Sequence, residues 1–194
     1  MPKLSIVITA VNISPEHIQM TKECIESLKG VDEIVLIECG KEMSDTKTHI
    51  KIYFSEIIPP NKARNLGLQV ATGDYIGFLN NDTKMIEGNL KDLCRENTAT
   101  SPIINNEISP YGIWGAFFVA PRNIFEKIGG WDERFEMYWD DNDFIKRMEQ
   151  ANIKREIIES VKFIHYVGKT NPFLRDCEKV TKESELKFKQ KWNL

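Results

Sequence analysis

The chain has 194 residues, 41% of them hydrophobic and 28% charged, with 26 Lys plus Arg against 29 Asp plus Glu and a formal net charge of −3. That length and balance suit one globular domain able to bury a core, and the small net charge excludes bulk electrostatic binding to nucleic acid or anionic lipid. The longest apolar run, "IWGAFFVA" at 113–120, is far shorter than the ~18 residues of a membrane span, and "MPKLSIVITA" lacks the long apolar stretch and cleavage site of a secretory leader. Cys24, Cys39, Cys94 and Cys177 lie far apart with no C-x-x-C pair, which fits neither a zinc knuckle nor a disulfide framework. The expectation is a soluble cytoplasmic protein with reduced thiols, touching a membrane only peripherally, through a partner.

In chain order, "KLSIVITA" (3–10) is β-rich and almost continuously apolar, which predicts a buried strand of a parallel sheet. Ser14 reads as an N-cap with Pro15 at the first helical position, Ile18, Thr21, Ile25 and Leu28 have helical spacing, and Gly30 closes the helix. "EIVLIE" (33–38) predicts a second buried strand, and "KIYFSEI" (51–57) a weaker third, ended by Pro59 and Pro60. "NKARNLGLQVATG" (61–73) predicts a helix with Ala63, Leu66, Gly67 and Val70 on one face, followed by a strand at "DYIGFLN" (74–80). The order β-α-β-β-α-β predicts an α/β sheet of mainly parallel strands. Ligands of such sheets bind beyond the carboxyl ends of the strands, where Asn12, Glu38 and Asn80–Asp82 fall.

The second half starts with a polar, irregular stretch at 84–112 that predicts no element. "WGAFFVAP" (114–121) predicts a strand and "RNIFEKIGG" (122–130) a short helix with a Gly-Gly stop. Residues 131–152 predict a loop that becomes a helix near Asp140–Asp143, with Phe144, Met148 and Ala151 on its buried face. One or two strands are expected over 155–168, and a Lys- and Glu-rich helix after Asn171, with Leu186 and Trp192, laid across the domain.

Several constellations could carry chemistry. Asn80-Asn81-Asp82 at a strand end suits a hard cation gripping phosphate oxygens, and it equally suits an Asx turn. In "YWDDNDF", Asp140, Asp141 and Asp143 crowd a helix start. One capping carboxylate is routine, three exceed what a cap needs, and crowded carboxylates raise one another's pKa toward that of a useful base. His165 in "FIHYVGKT" is a ligand or a structural histidine, and Gly168, Lys169 and Thr170 could approach a phosphate. Neither G-x-x-x-x-G-K-[ST] nor G-x-G-x-x-G occurs. Trp114, Trp131, Tyr138 and Trp139 are core residues or sugar platforms.

These stretches, in this order, resemble the family 2 glycosyltransferases of the GT-A fold from about residue 3 to 170. "NKARNLGLQVATGDYIGFLNNDT" is similar to the family's Arg-Asn helix and the strand that ends in its D-x-D motif. "GAFFVAPRNIFEKIGGWDERFEMYWDDNDFIKRMEQANIK" is similar to its acceptor segment, and "IHYVGKT" to its late His-containing loop. The resemblance implies a Rossmann-like, mainly parallel sheet flanked by helices, with a nucleotide-sugar-binding half at 1–82, an acceptor half at 83–170 and a charged C-terminal helix at 171–194. It implies inverting transfer from a nucleotide-diphospho-sugar to a hydroxyl of a glycan, lipid-linked or protein acceptor, assisted by Mn²⁺ or Mg²⁺. Asn12 and Glu38 would line the base and ribose pocket, Arg64 and Asn80 would face the nucleotide or its diphosphate, and Asp82 and His165 would hold the metal. Asp141 would be the catalytic base, flanked by Asp140 and Asp143, with Trp114 and Lys169 as further substrate contacts. Glu38-Cys39 stands where the family carries an Asp pair, and Asn80 replaces the first Asp of D-x-D. The region 83–113 is shorter than in many relatives, which implies an acceptor site that is open or completed by a second copy of the chain. A nucleotidyltransferase on a related sheet, or a GT-A binding protein without activity, are the rival readings.

Overall fold

Strands β1 (Leu4–Asn12) and β2 (Glu33–Gly40) are buried on both faces, which is why their apolar residues run on without alternating. The computed structural model describes residues 2–44, 46–136, 138–169 and 177–194. Between the two strands, helix α1 (Pro15–Ser27) begins as the sequence predicts: the Ser14 side chain accepts from the His17 N–H, and Pro15 occupies the first turn. Strand β3 (Ile50–Phe54), helix α2 (Pro60–Val70) and strand β4 (Tyr75–Asn80) complete the first half. The remaining elements are β5 (Thr83–Glu87), a 3-10 turn over Leu90–Leu93, β6 (Thr98–Ile104), β7 (Phe117–Pro121), α3 (Arg122–Ile128), α4 (Asp140–Gln150), β8 (Lys154–His165) and α5 (Cys177–Trp192). No helix among the described residues is long and apolar enough to cross a membrane.

One eight-stranded sheet runs in the order β3-β2-β1-β4-β7-β6-β8-β5. β3, β2, β1 and β4 are parallel, and so are β6 and β8. β7 runs antiparallel to both its neighbours, and β5 runs antiparallel along β8 at the edge. The expected α/β sheet flanked by helices is present, with its parallel half at the N-terminal side.

The stretch 84–112, expected to be irregular, supplies β5, the 3-10 turn and β6. Strand β6 reads "TATSPII", and its hydroxyls conceal it from a hydropathy pattern: Thr100 Oγ1 donates to the Leu93 carbonyl and Ser101 Oγ to the Phe117 carbonyl, both at 2.5 Å. Buried hydroxyls satisfied in this way are tolerated in a sheet interior. Pro102 sits beside a register shift, where a missing N–H matters least.

The two faces of the sheet form two cores. Leu4, Ile6, Ile8 and Ala10 of β1 pack toward α1 with Cys24 and Ile25. Val7, Val35 and Ile37 pack toward α2, continuous with an aromatic group of Phe78, Phe118, Trp131 and Phe144. Helix α2 comes so close to β1 that a Cβ on Gly67 would lie 2.2 Å from a Val7 methyl, so only glycine fits there. Cys24, Cys39 and Cys94 are free thiols, and burial pushes Cys24 up to about 12 and Cys94 to about 11. The Cys177 side chain lies outside the described residues.

The amino ends of β1, β2 and β4 are tied together by buried Glu33. It accepts from Ser5 Oγ (2.5 Å), Thr72 N–H (2.7 Å), Thr72 Oγ1 (2.6 Å) and Lys3 Nζ (3.2 Å). Burial alone would raise this carboxyl, but the four donors outweigh it and hold the pKa down to about 2. A carboxylate depressed on folding stabilises the native state above its unfolded pKa and loses that contribution as pH falls through the folded value. At neutral pH wild type should therefore exceed Glu33→Gln in urea-unfolding stability. The difference should narrow by on the order of 3 kcal/mol between about pH 4.5 and about pH 2; a pH-independent difference would contradict the network.

Candidate active site

A cleft of about 300 Å³ opens at the carboxyl ends of the parallel strands, the position at which open α/β sheets place ligands. Thr9 and Val11 of β1, Ile37 and Cys39 of β2, and Ile57 and Ile58 beyond β3 form one largely apolar wall. Arg64 of α2, Asn80 at the end of β4, and Asn81 and Asp82 just after it form its polar floor. Asp140 and Asp141 from the start of α4, with His165 at the end of β8, close the far side. Four segments remote in sequence thus deliver Arg64, Asp82, Asp141 and His165 to one cavity.

Asp82 is nearly buried, and its Oδ1 lies 3.1 Å from His165 Nε2. Both residues are fixed from behind. The Asp82 carbonyl accepts from the Tyr166 N–H at 2.9 Å, while Asn105 receives the His165 N–H at 2.9 Å and donates its amide to the His165 carbonyl at 3.1 Å. A carboxylate oxygen and an imidazole nitrogen about 3 Å apart suit two adjacent positions around Mg²⁺ or Mn²⁺, which commonly takes one or two protein ligands and fills the rest of its shell with water and substrate phosphate. Among the described residues no group of three or more His, Cys, Asp and Glu side chains is placed to enclose an ion, so such a site would be completed by substrate.

The three acids at the start of α4 have three different fates. Trp139 at the N-cap offers no side-chain bond. Asp140 meets Arg64 Nη1 at 2.5 Å, and the same guanidinium bonds Asn61 Oδ1 at 2.8 Å, reaches Asn80 Oδ1 at 3.5 Å and lies over Trp131 at 4.4 Å. Asp143 is fully buried and points away from the cleft: it accepts from Arg147 Nε (2.9 Å) and Trp192 Nε1 (3.0 Å), and Lys191 Nζ lies 2.6 Å away. Asp141 faces the cleft, where Oδ1 accepts from the Asn142 N–H at 2.8 Å. Burial, and then the neighbouring charge of Asp140, raise its pKa above the usual carboxylate range. Gly115 makes room for it, since a Cβ there would sit 2.5 Å from Asp141 Oδ2.

Of the residues that the sequence singles out, Arg64, Asn80, Asp82, Asp140, Asp141 and His165 line the cleft. Asn12, Glu38, Trp114, Asp143 and Lys169 do not. Successive strand residues face opposite sides of a sheet, and Asn12 and Glu38 fall on the α1 side, with Val11 and Cys39 turned to the cleft instead. There Glu38, fully buried, accepts from Asn12 Nδ2 (3.1 Å) and the Met43 N–H (3.2 Å) and pairs with Lys51 (3.2 Å). Thr21 Oγ1 donates to Asn12 Oδ1 and accepts from Asn81 Nδ2, which ties the ends of β1, β2 and β4 together behind the site. Trp114 packs half-buried against the α1-side core. Lys169 is exposed, with its carbonyl 3.4 Å from His17 Nε2, and Thr170 lies outside the described residues. Trp131 belongs to the aromatic core, whereas exposed Tyr138 stands at the cleft. Thr9 and Val11 escape the sequence reading because both faces of β1 are apolar and the pattern does not say which face looks into the cleft.

No protein-family model matches the sequence, and no curated protein does. Solved structures do. The mannosyltransferase PcManGT from Pyrobaculum calidifontis, in complex with GDP-Man and Mn²⁺, superposes with a TM-score of 0.64 at 14% identity, over 88% of this chain and 58% of that one. GalNAc-T7 with UDP, GalNAc and Mn²⁺ superposes with a TM-score of 0.62 at 14% identity, over 85% of this chain and 44% of that one. The chain therefore spans less than two thirds of the length of either neighbour. With its eight-stranded sheet, its flanking helices and its cleft at the carboxyl rim, the chain has the GT-A fold.

Proposed function

We propose that the chain transfers a sugar from a nucleoside-diphospho-sugar to an acceptor hydroxyl, with inversion at the anomeric carbon. The observation that carries this reading is the pairing, within one cleft, of the Asp82–His165 couple with a half-buried carboxylate of raised pKa, Asp141. Two neighbours of the same fold, both solved with nucleotide and Mn²⁺, support it. The apolar wall of Ile37, Cys39, Ile57 and Ile58 suits a flat base, and the polar floor suits a diphosphate.

Asp141 accepts the proton of the acceptor hydroxyl as that oxygen attacks the anomeric carbon. The bond from this carbon to the diphosphate oxygen breaks, and its electron pair leaves with the nucleoside diphosphate. Arg64, held in place by Asp140, Asn61 and the Trp131 ring, presents positive charge to the departing diphosphate. A divalent ion held by Asp82 and His165 would supply further neutralisation of that charge. The partial burial of Asp141 also moves its pKa toward neutrality, where a base works best.

Asp141→Asn should lower kcat about 10²–10⁴-fold, as loss of a general base typically does, with donor affinity within about twofold of wild type. Near-normal transfer by this variant would contradict the assignment. The acid limb of the wild-type kcat/KM profile should lie above the usual carboxylate range, because the base acts only once deprotonated. Thermal-shift screening with nucleotide-sugars and Mn²⁺ should single out a donor that stabilises the fold by about 2.7 kcal/mol at a hundredfold excess over its Kd. The stabilisation should vanish with chelator and in Asp82→Asn. Release of pyrophosphate from a nucleoside triphosphate, in place of a nucleoside diphosphate from a sugar donor, would favour nucleotidyl transfer.

A further inference from the structure

Asp141 is the least anchored of the three acids, yet its conformation is narrowly set. Tyr138 and Trp139, immediately before α4, both have left-handed backbone, with φ of 61° and 62°. Two consecutive bulky residues in this region are unfavourable, and they persist only where the surroundings fix them. For Trp139 those surroundings include the final turns of α5. The buried face of α5 carries Val180, Ser184 and Phe188 at four-residue spacing, followed by Lys191 and Trp192.

The contacts converge on the segment that delivers Asp141. The Phe188 ring lies 5.0 Å from Trp139. Lys191 Nζ bridges Asp143 (2.6 Å) and Asp132 (2.8 Å) across the acidic loop, and Trp192 Nε1 donates to Asp143 at 3.0 Å. Lys187 Nζ bonds the Arg134 carbonyl at 2.9 Å. Asp143 is fully buried, and its other carboxylate oxygen is taken by Arg147, which in turn bonds the carbonyls of Ile128 and Gly130 at 2.8 Å. A buried carboxylate deprived of part of its countercharge rearranges or draws in water, because the desolvated charge is costly without it. Asp143 lies two residues beyond Asp141 in the first turn of α4, so a shift of one moves the other.

We propose that Phe188, Lys191 and Trp192 are positioning residues for the transfer reaction. The end of the C-terminal helix clamps Trp139 and Asp143, and thereby holds the first turn of α4 in the conformation that aims Asp141 into the cleft. This rests on the sugar-transfer reading for its catalytic consequence, and on the contacts alone for its mechanical one. None of the three lines the cleft, so the clamp acts on Asp141 through the first turn of α4 and reaches Arg64 only through Asp140, while Asp82 and His165 are held separately by the Tyr166 N–H and Asn105.

The test compares wild type, Lys191→Met, Lys191→Arg and Trp192→Phe, the last of which keeps an aromatic ring and deletes the donor. Lys191→Met and Trp192→Phe should each lower kcat about tenfold or more, with donor KM and the donor-induced thermal shift within about twofold of wild type. Lys191→Arg should recover most of the loss. Hydrogen exchange should speed at the amides of 139–143 in both impaired variants and stay unchanged in β1 and β4. Unchanged kcat, a parallel loss of donor binding, or exchange at 139–143 equal to wild type would overturn the clamp. Absence of transfer by wild type with every donor would sink the functional reading, while the exchange comparison would still decide the mechanical one.

Discussion

Four carboxylates, two buried (Asp82 and Asp143) and two half-buried (Asp140 and Asp141), are drawn to one end of a single sheet, and crowded, desolvated like charge is costly unless it receives partners. The structure divides the available groups unevenly. Asp140 takes Arg64, Asp143 takes Arg147 and Lys191, and Asp82 takes His165. Asp141 has a backbone N–H and a distant share of Arg64. Asp140 and Asp143 are thus held by arginines, whereas Asp141 faces the cleft with its pKa raised by burial and by Asp140.

The scaffold supplies the geometry that this division needs. Glu33 ties the amino ends of β1, β2 and β4, and the Glu38, Asn12, Thr21 and Asn81 chain ties their carboxyl ends on the α1 side. The cleft forms on the opposite side, between α2 and α4, where the two-residue period of β1 and β2 turns Thr9, Val11, Ile37 and Cys39 outward. A polar network on one face and an apolar wall on the other are thus two consequences of one strand register.

The parallel half of the fold was legible because its strands are continuously apolar and its helices are punctuated by Ser14, Pro15 and the Pro59-Pro60 pair. Strand β6 was not, since Thr98, Thr100 and Ser101 hide a buried strand behind hydroxyls whose partners are backbone carbonyls elsewhere in the chain. Arg64, Asp82, Asp141 and His165, read from residue type and place, line one cleft. Asn12 and Glu38, expected at the cleft, face the α1 side because of strand register, and Asp143 is drawn away by charged and polar partners. Asp143 is decided by Lys191 and Trp192, which no local pattern connects to it.

The claim that most of this depends on is that a divalent ion and a nucleoside diphosphate meet at Asp82 and His165. Paramagnetic broadening by Mn²⁺ tests it directly, because His49, bonded to the Ile34 N–H near the amino end of β2, is an internal reference at the opposite end of the sheet. With nucleoside diphosphate present, substoichiometric Mn²⁺ should erase the His165 imidazole signals and leave those of His49 sharp. Equal broadening of both, or persistence of the His165 signals, would contradict the account.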